Sequence, residues 1–422
     1  MKFKKKVLKN GLRIITAPVQ GNSTITVLVL VKAGTDYEDK KNNGISHFLE
    51  HMCFKGTKLR PNTGDIALDL DKLGSRYNAF TGYQYTGYWA KAHHKQGEKL
   101  LEIVSDMYLN PIFDEGEIEK ERGVILEELN MYLDLPMRQV EEDFLQLLYK
   151  NQPAGMLLVG PKNNIKKFKQ KDFIKYRDKR YTAKNTTIIV SGKFDDKKIL
   201  KDIQNRFENI NSRGSFRKIK TKETQIKPQV FVRNKKVDQT HLFLGVRAFN
   251  LFHKDTVVAS LIASILGSGM SSRLFNKLRN EMGVCYYVRA DNDSATDRGF
   301  LALSAGVDTK RTEEVVKVFL SELKKLKEEL VGEDELKKVK DYITGNMYLG
   351  LESSDSIAQY LSFQELLKNE ILTPEEKIKK IKAVTSKDIK RVANKIFVDK
   401  GLNLAVIGPI KDEKSLLKIL KF

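Results

Sequence analysis

The sequence predicts an α+β chain of two homologous domains, each a largely antiparallel sheet packed with helices, and three observations carry this. Strand patterns alternate with amphipathic helices along the whole chain, a four-residue word repeats at a fixed distance, and 422 residues exceed one ordinary core. The word is "NMYL", at Asn130 to Leu133 and again at Asn346 to Leu349, an offset of 216 residues. Its surroundings repeat as well: "EIEKERGVILEELNMYLDLP" lines up with "EDELKKVKDYITGNMYLGLE", each followed by an apolar helical stretch ending in Leu-Leu. The chain therefore divides into residues 1–212 and 227–422, joined by the polar, lysine-rich linker 213–226.

The elements follow in order. "LKNGLRIITAP" contains an Asn10-Gly11 turn and, with "STITVLVLVKAG", predicts strands. "NNGISHFLEHMCFKG" predicts a helix closed by Gly56. "GSRYNAFTGYQYTGYWAKAH" alternates and is rich in aromatics, as a hairpin is. Helical periodicity returns in "KQGEKLLEIVSDMYLN" and "EGEIEKERGVILEELNMYLDLP", and "RYTAKNTTIIVSGKF" predicts a further strand. Downstream of the linker the same order recurs.

Composition narrows the class. A hydrophobic content of 41%, 9% aromatics and no low-complexity tract describe a soluble globular protein. No window approaches the run of about 18 apolar residues that spans a membrane, and the basic N-terminal stretch lacks the apolar core of a secretory signal. Cys53 and Cys285 form no disulfide framework, so a cytoplasmic location is expected. The net charge of +21 raises nucleic acid as a partner. Against it, the lysines are interleaved with glutamates in segments such as "SELKKLKEELVGEDELKKVK", the pattern of a solvated helix face, so no nucleic-acid partner is expected. Asp114 to Asp143 runs the other way, with eleven acidic residues against three basic ones. That local field is expected to favour basic peptides.

The chemistry concentrates in "GISHFLEHMCFKGT", residues 44–57. On a helix His47, Glu50 and His51 share one face, beside the apolar residues Ile45, Phe48, Leu49 and Met52. Two imidazoles four residues apart can grip one zinc, and Glu50, one turn from His47 and adjacent to His51, is placed as general base for a water. A third ligand is needed, and Glu127 and Glu128 compete for the role. Glu128 lies in the helical stripe Glu121, Val124, Ile125, Glu128 and Tyr132 along the apolar face. Glu127 shares its face with Lys120, Gly123, Asn130 and Met131, a largely polar set. A carboxylate on an apolar face needs a partner such as a metal, which selects Glu128. Glu121, two turns earlier on that face, is positioned to hold a ligand by hydrogen bonding. At the internal offset, His47, Glu50, His51 and Glu128 are matched by Ala263, Leu266, Gly267 and Thr344, so the polar set is missing where only the fold is needed. His93, His94, His241 and His253 read as structural. Cys53 falls on another face as a buried spectator, and Gly267-Ser268-Gly269 lacks the Gly-Lys-Ser/Thr ending of a phosphate loop.

His-x-x-Glu-His is the inverzincin signature. With 76 residues between His51 and Glu128, with "ERGVILEE" carrying Glu121, and with "NAFTG" and "GMSSRLFNKLRNEMGVCYYV", nearly the whole chain resembles the pitrilysin/insulinase inverzincin metallopeptidases. Within them it is similar to the short two-domain branch that includes the mitochondrial processing peptidase catalytic subunit and bacterial processing proteases. The resemblance implies a zinc metalloendopeptidase with one zinc per chain acting on peptide substrates. It also implies that Asn78, Ala79, Phe80 and Thr81 form an edge strand that holds substrate, and that Arg279 and Tyr286 contact substrate from the second domain. Long relatives enclose substrate in four domains, so a homodimer of this two-domain chain is expected. The alternative is a noncatalytic or regulatory subunit of a processing-peptidase-like assembly, which has no need of Glu50 or the three ligands.

Overall fold

The computed structural model describes residues 1–214 and 218–422, so residues 215–217 of the predicted linker lie outside the described residues. The chain gathers into two compact units, each of sheet and helices as predicted.

The first unit comprises residues 1–129, 156–219 and 348–372. Its six strands are β1 (Lys4–Val7), β2 (Arg13–Pro18), β3 (Thr24–Val31), β4 (Arg76–Thr81), β5 (Thr86–His93) and β6 (Thr186–Gly192), in the order β1-β2-β6-β3-β5-β4. Only β2 and β6 run parallel. The predicted Asn10-Gly11 turn joins β1 to β2, with the Gly11 N–H donating to the Leu8 carbonyl at 2.9 Å. β3 reads as a continuous apolar run because helices cover both faces of the sheet. Helix Gly97–Leu109 packs on one face, beside Ile25. Helix Ser354–Lys368 packs Ile357, Ala358 and Leu361 against Leu28 on the other. It is also pinned by polar contacts, with Ser354 Oγ 2.8 Å from Thr26 Oγ1 and Asp355 accepting from Lys91 Nζ at 2.7 Å.

The second unit comprises residues 130–155, 220–347 and 373–422. Strands β7 (Gln229–Asn234), β8 (Thr240–Arg247), β9 (Cys285–Ser294), β10 (Gly299–Val307) and β11 (Asn403–Gly408) form a sheet in the order β7-β11-β8-β10-β9, with only β7 and β11 parallel. This is the first sheet without β1, strand for strand. The repeat is therefore a duplicated fold and not four coincident letters. Helix Pro136–Tyr149 covers this sheet, with the Phe144 ring 4.8 Å from Phe243 and 5.6 Å from Phe300, and with Asp143 held bidentately by Arg233 at 2.6 and 2.8 Å.

The two equivalent helices after "NMYL" are thus exchanged, each belonging to the unit built mainly from the other half of the sequence. The predicted linker contains the main crossing, between Ile219 and Lys220, but a sequential division does not include this exchange. Periodicity shows that each helix has an apolar face, and it carries no information on which of two similar sheets receives that face. Among the described residues no helix is long and apolar enough to cross a membrane.

Candidate active site

The histidine-bearing helix runs from Ile45 to Met52 and is anchored from below. Ile45, Phe48, Leu49 and Met52 are buried, and the Phe48 ring meets Phe173 edge-on at 4.9 Å. Its start has no Ser, Thr, Asp or Asn cap, because Gly44 sits at φ +99° where a Cβ would come 2.5 Å from the Val159 carbonyl. The cap comes instead from Glu38. This buried carboxylate accepts from the backbone N–H of Gly44 and of Ser46, both at 2.8 Å, and from Asn43 Nδ2 at 3.0 Å. Burial pushes the Glu38 carboxyl above its usual range, and these hydrogen bonds pull it back only in part. Sequence reasoning missed Glu38. The signal that points to it is a helix start without a cap, preceded by a carboxylate a few residues upstream. Glu38→Ala strands two helix N–H groups and is expected to cost about 1–3 kcal/mol of stability. Urea unfolding of the purified variant measures this, and an unchanged midpoint and slope would mean that the helix start does not depend on Glu38.

The predicted ligands converge. Nε2 of His47 lies 3.6 Å and Nε2 of His51 3.5 Å from Oε2 of Glu128, and one candidate ligand atom from each residue lies within 4.8 Å of the others. These separations exceed the usual hydrogen-bond range of about 2.7–3.2 Å. They match the roughly 3.4 Å edge of a tetrahedron whose bonds are about 2.0–2.1 Å. Two imidazole nitrogens and one carboxylate oxygen around a common point are a donor set that fits zinc.

Glu128 arrives from helix Glu115–Asp134, on the same side as Glu121, Ile125 and Leu129, whereas Glu127 faces solvent. The two glutamates thus stand on different sides of this helix, Glu128 beside the imidazoles and Glu127 toward solvent. Val124, which the same stripe includes, is 52% exposed, so the buried stripe is narrower than predicted. Glu121 bridges the two helices. Its Oε1 lies 2.8 Å from Nδ1 of His51, and its Oε2 2.6 Å from Nζ of Lys55. Burial opposes the charge on Glu121, but His51 and Lys55 outweigh it and hold the carboxyl below its usual range. On His51 burial likewise opposes charge, and Glu121 together with Glu50 and Glu128 more than compensates, raising the imidazole.

Glu50 is 9% exposed, one turn from His47 and next to His51 in the chain. Burial raises its carboxyl, against the opposing effects of Thr81 and the two imidazoles. Thr81 Oγ1 donates to Glu50 Oε2. Thr81 ends β4, which pairs with β5 and is the edge of its sheet, as "NAFTG" was expected to be. The Phe80 ring turns away toward Tyr85 and Phe363, both 6.0 Å distant, and Asn78 Oδ1 accepts from the N–H of Ala79 at 2.9 Å.

Arg279 and Tyr286 belong to the second unit, where they form a pair across a helix-to-strand junction. Arg279 lies in the helical turn Phe275–Glu281, its guanidinium is 5.0 Å from the centre of the Tyr286 ring, and Nη1 donates to the Cys285 carbonyl at 2.8 Å. Tyr286 is 75% exposed. The counterpart of His51 in this unit is Gly267, where a Cβ would come 2.2 Å from the backbone nitrogen of Ala290. Helix Thr256–Gly267 lies directly on β9 there, leaving no room for a side chain. The other histidines are engaged structurally or lie at the surface, His241 Nδ1 being 2.9 Å from the Tyr287 hydroxyl and His253 stacking on Phe249. Cys53 is buried, its thiol pushed up to about 12 by burial, which suits a spectator.

Two family profiles cover most of the chain: insulinase (peptidase family M16) matches residues 13–162, and the peptidase M16 inactive domain matches residues 167–343. The second match covers Ala263, Leu266 and Gly267, which stand where the first half has its polar set. A zinc protease of Rickettsia felis is 32% identical over 403 residues, covering 95% of this chain and 96% of that protein. A zinc protease of Bacillus subtilis is 30% identical, covering 96% and 98%. The beta subunit of the mouse mitochondrial-processing peptidase is 31% identical, covering 96% of this chain and 84% of that protein. Among solved structures, a protease from Helicobacter pylori superposes with a TM-score of 0.89 at 25% identity, covering 97% of this chain and 99% of that one. A peptidase M16 inactive domain from Pseudomonas fluorescens shares the fold at the same TM-score of 0.89 with 16% identity, covering 98% and 100%.

Proposed function

The chain belongs to the insulinase family of peptidases, M16, and we propose that it is a zinc-dependent endopeptidase acting on peptides or unfolded protein segments, with Glu50 as general base. The observation that carries this reading is the convergence of His47, His51 and Glu128, from two helices, with the buried carboxylate of Glu50 beside them. His47, His51 and Glu128 would hold one zinc per chain, which when bound would supply a Lewis acid for the scissile carbonyl and for acidifying the attacking water.

The remaining work falls to the chain itself. Glu50 takes the proton of the attacking water and returns it to the leaving amine. Its burial, which raises the carboxyl, suits it to carry that proton between the two steps. Glu121 accepts the Nδ1 proton of His51 and so keeps Nε2 free to ligate. The β4 edge pairs with an extended substrate through main-chain hydrogen bonds, which gives affinity with loose sequence demand. A peptide-library digest read by mass spectrometry tests the reading. Internal cleavage should appear, vanish with a chelator and return with zinc. Absence of cleavage by zinc-loaded protein would favour the noncatalytic-subunit reading, against which the complete set of three ligands and Glu50 argues.

The proposal includes the assembly and its setting. Two copies associate so that Arg279 and Tyr286 of one reach substrate bound at the zinc of the other. Arginine contributes a fork of donors and the exposed tyrosine a hydroxyl to a peptide carbonyl or developing oxyanion. Mixing inactive Glu50→Gln protein with an inactive Arg279→Ala, Tyr286→Phe variant should restore activity to roughly a quarter of wild type, half the dimers being mixed with one intact site each. A monomer in solution, or no recovery after proven subunit exchange, would defeat the arrangement. A reducing cytoplasm is the matching compartment, since Cys53 and Cys285 are both free.

A further inference from the structure

We propose that Thr81 is a positioning residue for Glu50, its hydroxyl fixing one carboxylate oxygen so that the other is aimed and free to take a proton. The inference rests on the reading of Glu50 as general base. It begins with the direction of one hydrogen bond. Thr81 has a single hydroxyl proton, and two acceptors lie near it, Glu50 Oε2 and Thr86 Oγ1. Thr86 is a weak candidate at 3.5 Å. Its own proton is committed to the Ala33 carbonyl at 3.2 Å, inside the buried end of the sheet. Thr81 therefore donates to the charged acceptor, the stronger of the two possible bonds.

Only one of the Glu50 oxygens is held in this way. Among the described residues no protein donor reaches Oε1. A carboxylate with two free oxygens can rotate between several orientations, and a general base that does so loses the alignment proton transfer needs. With Oε2 tied to the end of β4, rotation is restricted and Oε1 remains available.

The duplicated unit supplies an internal comparison. There the counterpart strand β9 ends at Ser294, paired with Gly299 across a four-residue connection, as Thr81 is paired with Thr86. Ser294 also carries a hydroxyl, but it donates to the Phe249 carbonyl at 3.0 Å, and the counterpart of Glu50 is Leu266. A hydroxyl at this strand end thus serves the fold in one unit. In the unit with the histidines it is turned to the base. Because Thr81 ends the edge strand proposed to seat the substrate, one element both seats the peptide and orients the group that acts on it.

The test is Thr81→Val, which keeps the branched shape and removes the hydroxyl, with Thr81→Ala as a smaller variant lacking it and Thr81→Ser as the rescue. Val and Ala should lower kcat by about 10- to 100-fold, the worth of a hydrogen bond to a charged group, with KM within about twofold. Ser should recover most of the loss. Zinc content and thermal midpoint should stay at wild type in all three. Crystal structures of the Val and wild-type proteins should show Glu50 in several rotamers in the first and one in the second. In a Glu50→Gln background, Thr81→Val should cost nothing further. A raised KM with unchanged kcat, or an unchanged Glu50 rotamer with normal kcat, would overturn the inference and leave the function standing. If Glu50→Gln itself retains activity, the general-base reading fails first, and this inference with it.

Discussion

Glutamine at position 50 is expected to leave a protein that binds zinc and hydrolyses peptide at about a hundredth of the wild-type rate or less, the usual range for loss of a general base. The substitution conserves volume in a nearly closed position, so the Ile45–Met52 helix and its two imidazoles keep their places. The amide oxygen still accepts from Thr81, but it cannot take a proton from water. Steady-state hydrolysis of a peptide chosen from the library digest, with zinc measured on the same sample, checks both halves of the expectation. Full zinc content with activity above about a hundredth of wild type would remove Glu50 from its role. Loss of zinc would show instead that Glu50 supports the ligand cluster.

The second large effect separates two adjacent glutamates. Glu128→Gln is expected to lower zinc affinity by more than the 10- to 100-fold that loss of an outer hydrogen-bond partner costs, whereas Glu127→Gln leaves it unchanged. The reason is angular. Consecutive residues on a helix point about 100° apart, so only one of the pair can approach the imidazoles. Glu128 Oε2 is the atom 3.5 and 3.6 Å from their Nε2 atoms, while Glu127 faces solvent. Competition with a chelator of known affinity reads the difference, and zinc-free protein from each variant should be inactive until the metal is returned. Equal affinity in the two variants would show that the third ligand lies elsewhere. Glu121→Gln is the intermediate case, since it weakens the hold on His51 without removing a ligand.

Much of the site was legible because its parts are local. His47, Glu50 and His51 sit at spacings that any α-helix places on one face, and Glu128 could be preferred over Glu127 from phase along a single helix. The same reasoning included Val124, which is exposed: the apolar residues of that helix cover a narrower arc than the periodicity suggested. Arg279 and Tyr286 pair because the chain turns from helix to strand in the six residues between them, so their proximity was also local. The duplication was visible in one repeated word and confirmed strand by strand in the order of two sheets. The exchange of helices Pro136–Tyr149 and Ser354–Lys368 was not visible. Both sheets offer a similar apolar face, and the choice between them depends on individual contacts such as Asp143 with Arg233 and Ser354 with Thr26.

By itself the sequence determined which residue types stand on which face of a helix, that the fold occurs twice, and that the chemistry occurs once. These follow from periodicity, which acts over a few residues and holds whatever surrounds the helix. Tertiary structure alone decided that Lys55 shares Glu121 with His51 and that the hydroxyl of Thr81 meets Glu50. Each of these is a hydrogen bond or ion pair whose strength depends on separation and direction in space, and the folded chain sets both by bringing together segments that no local pattern relates.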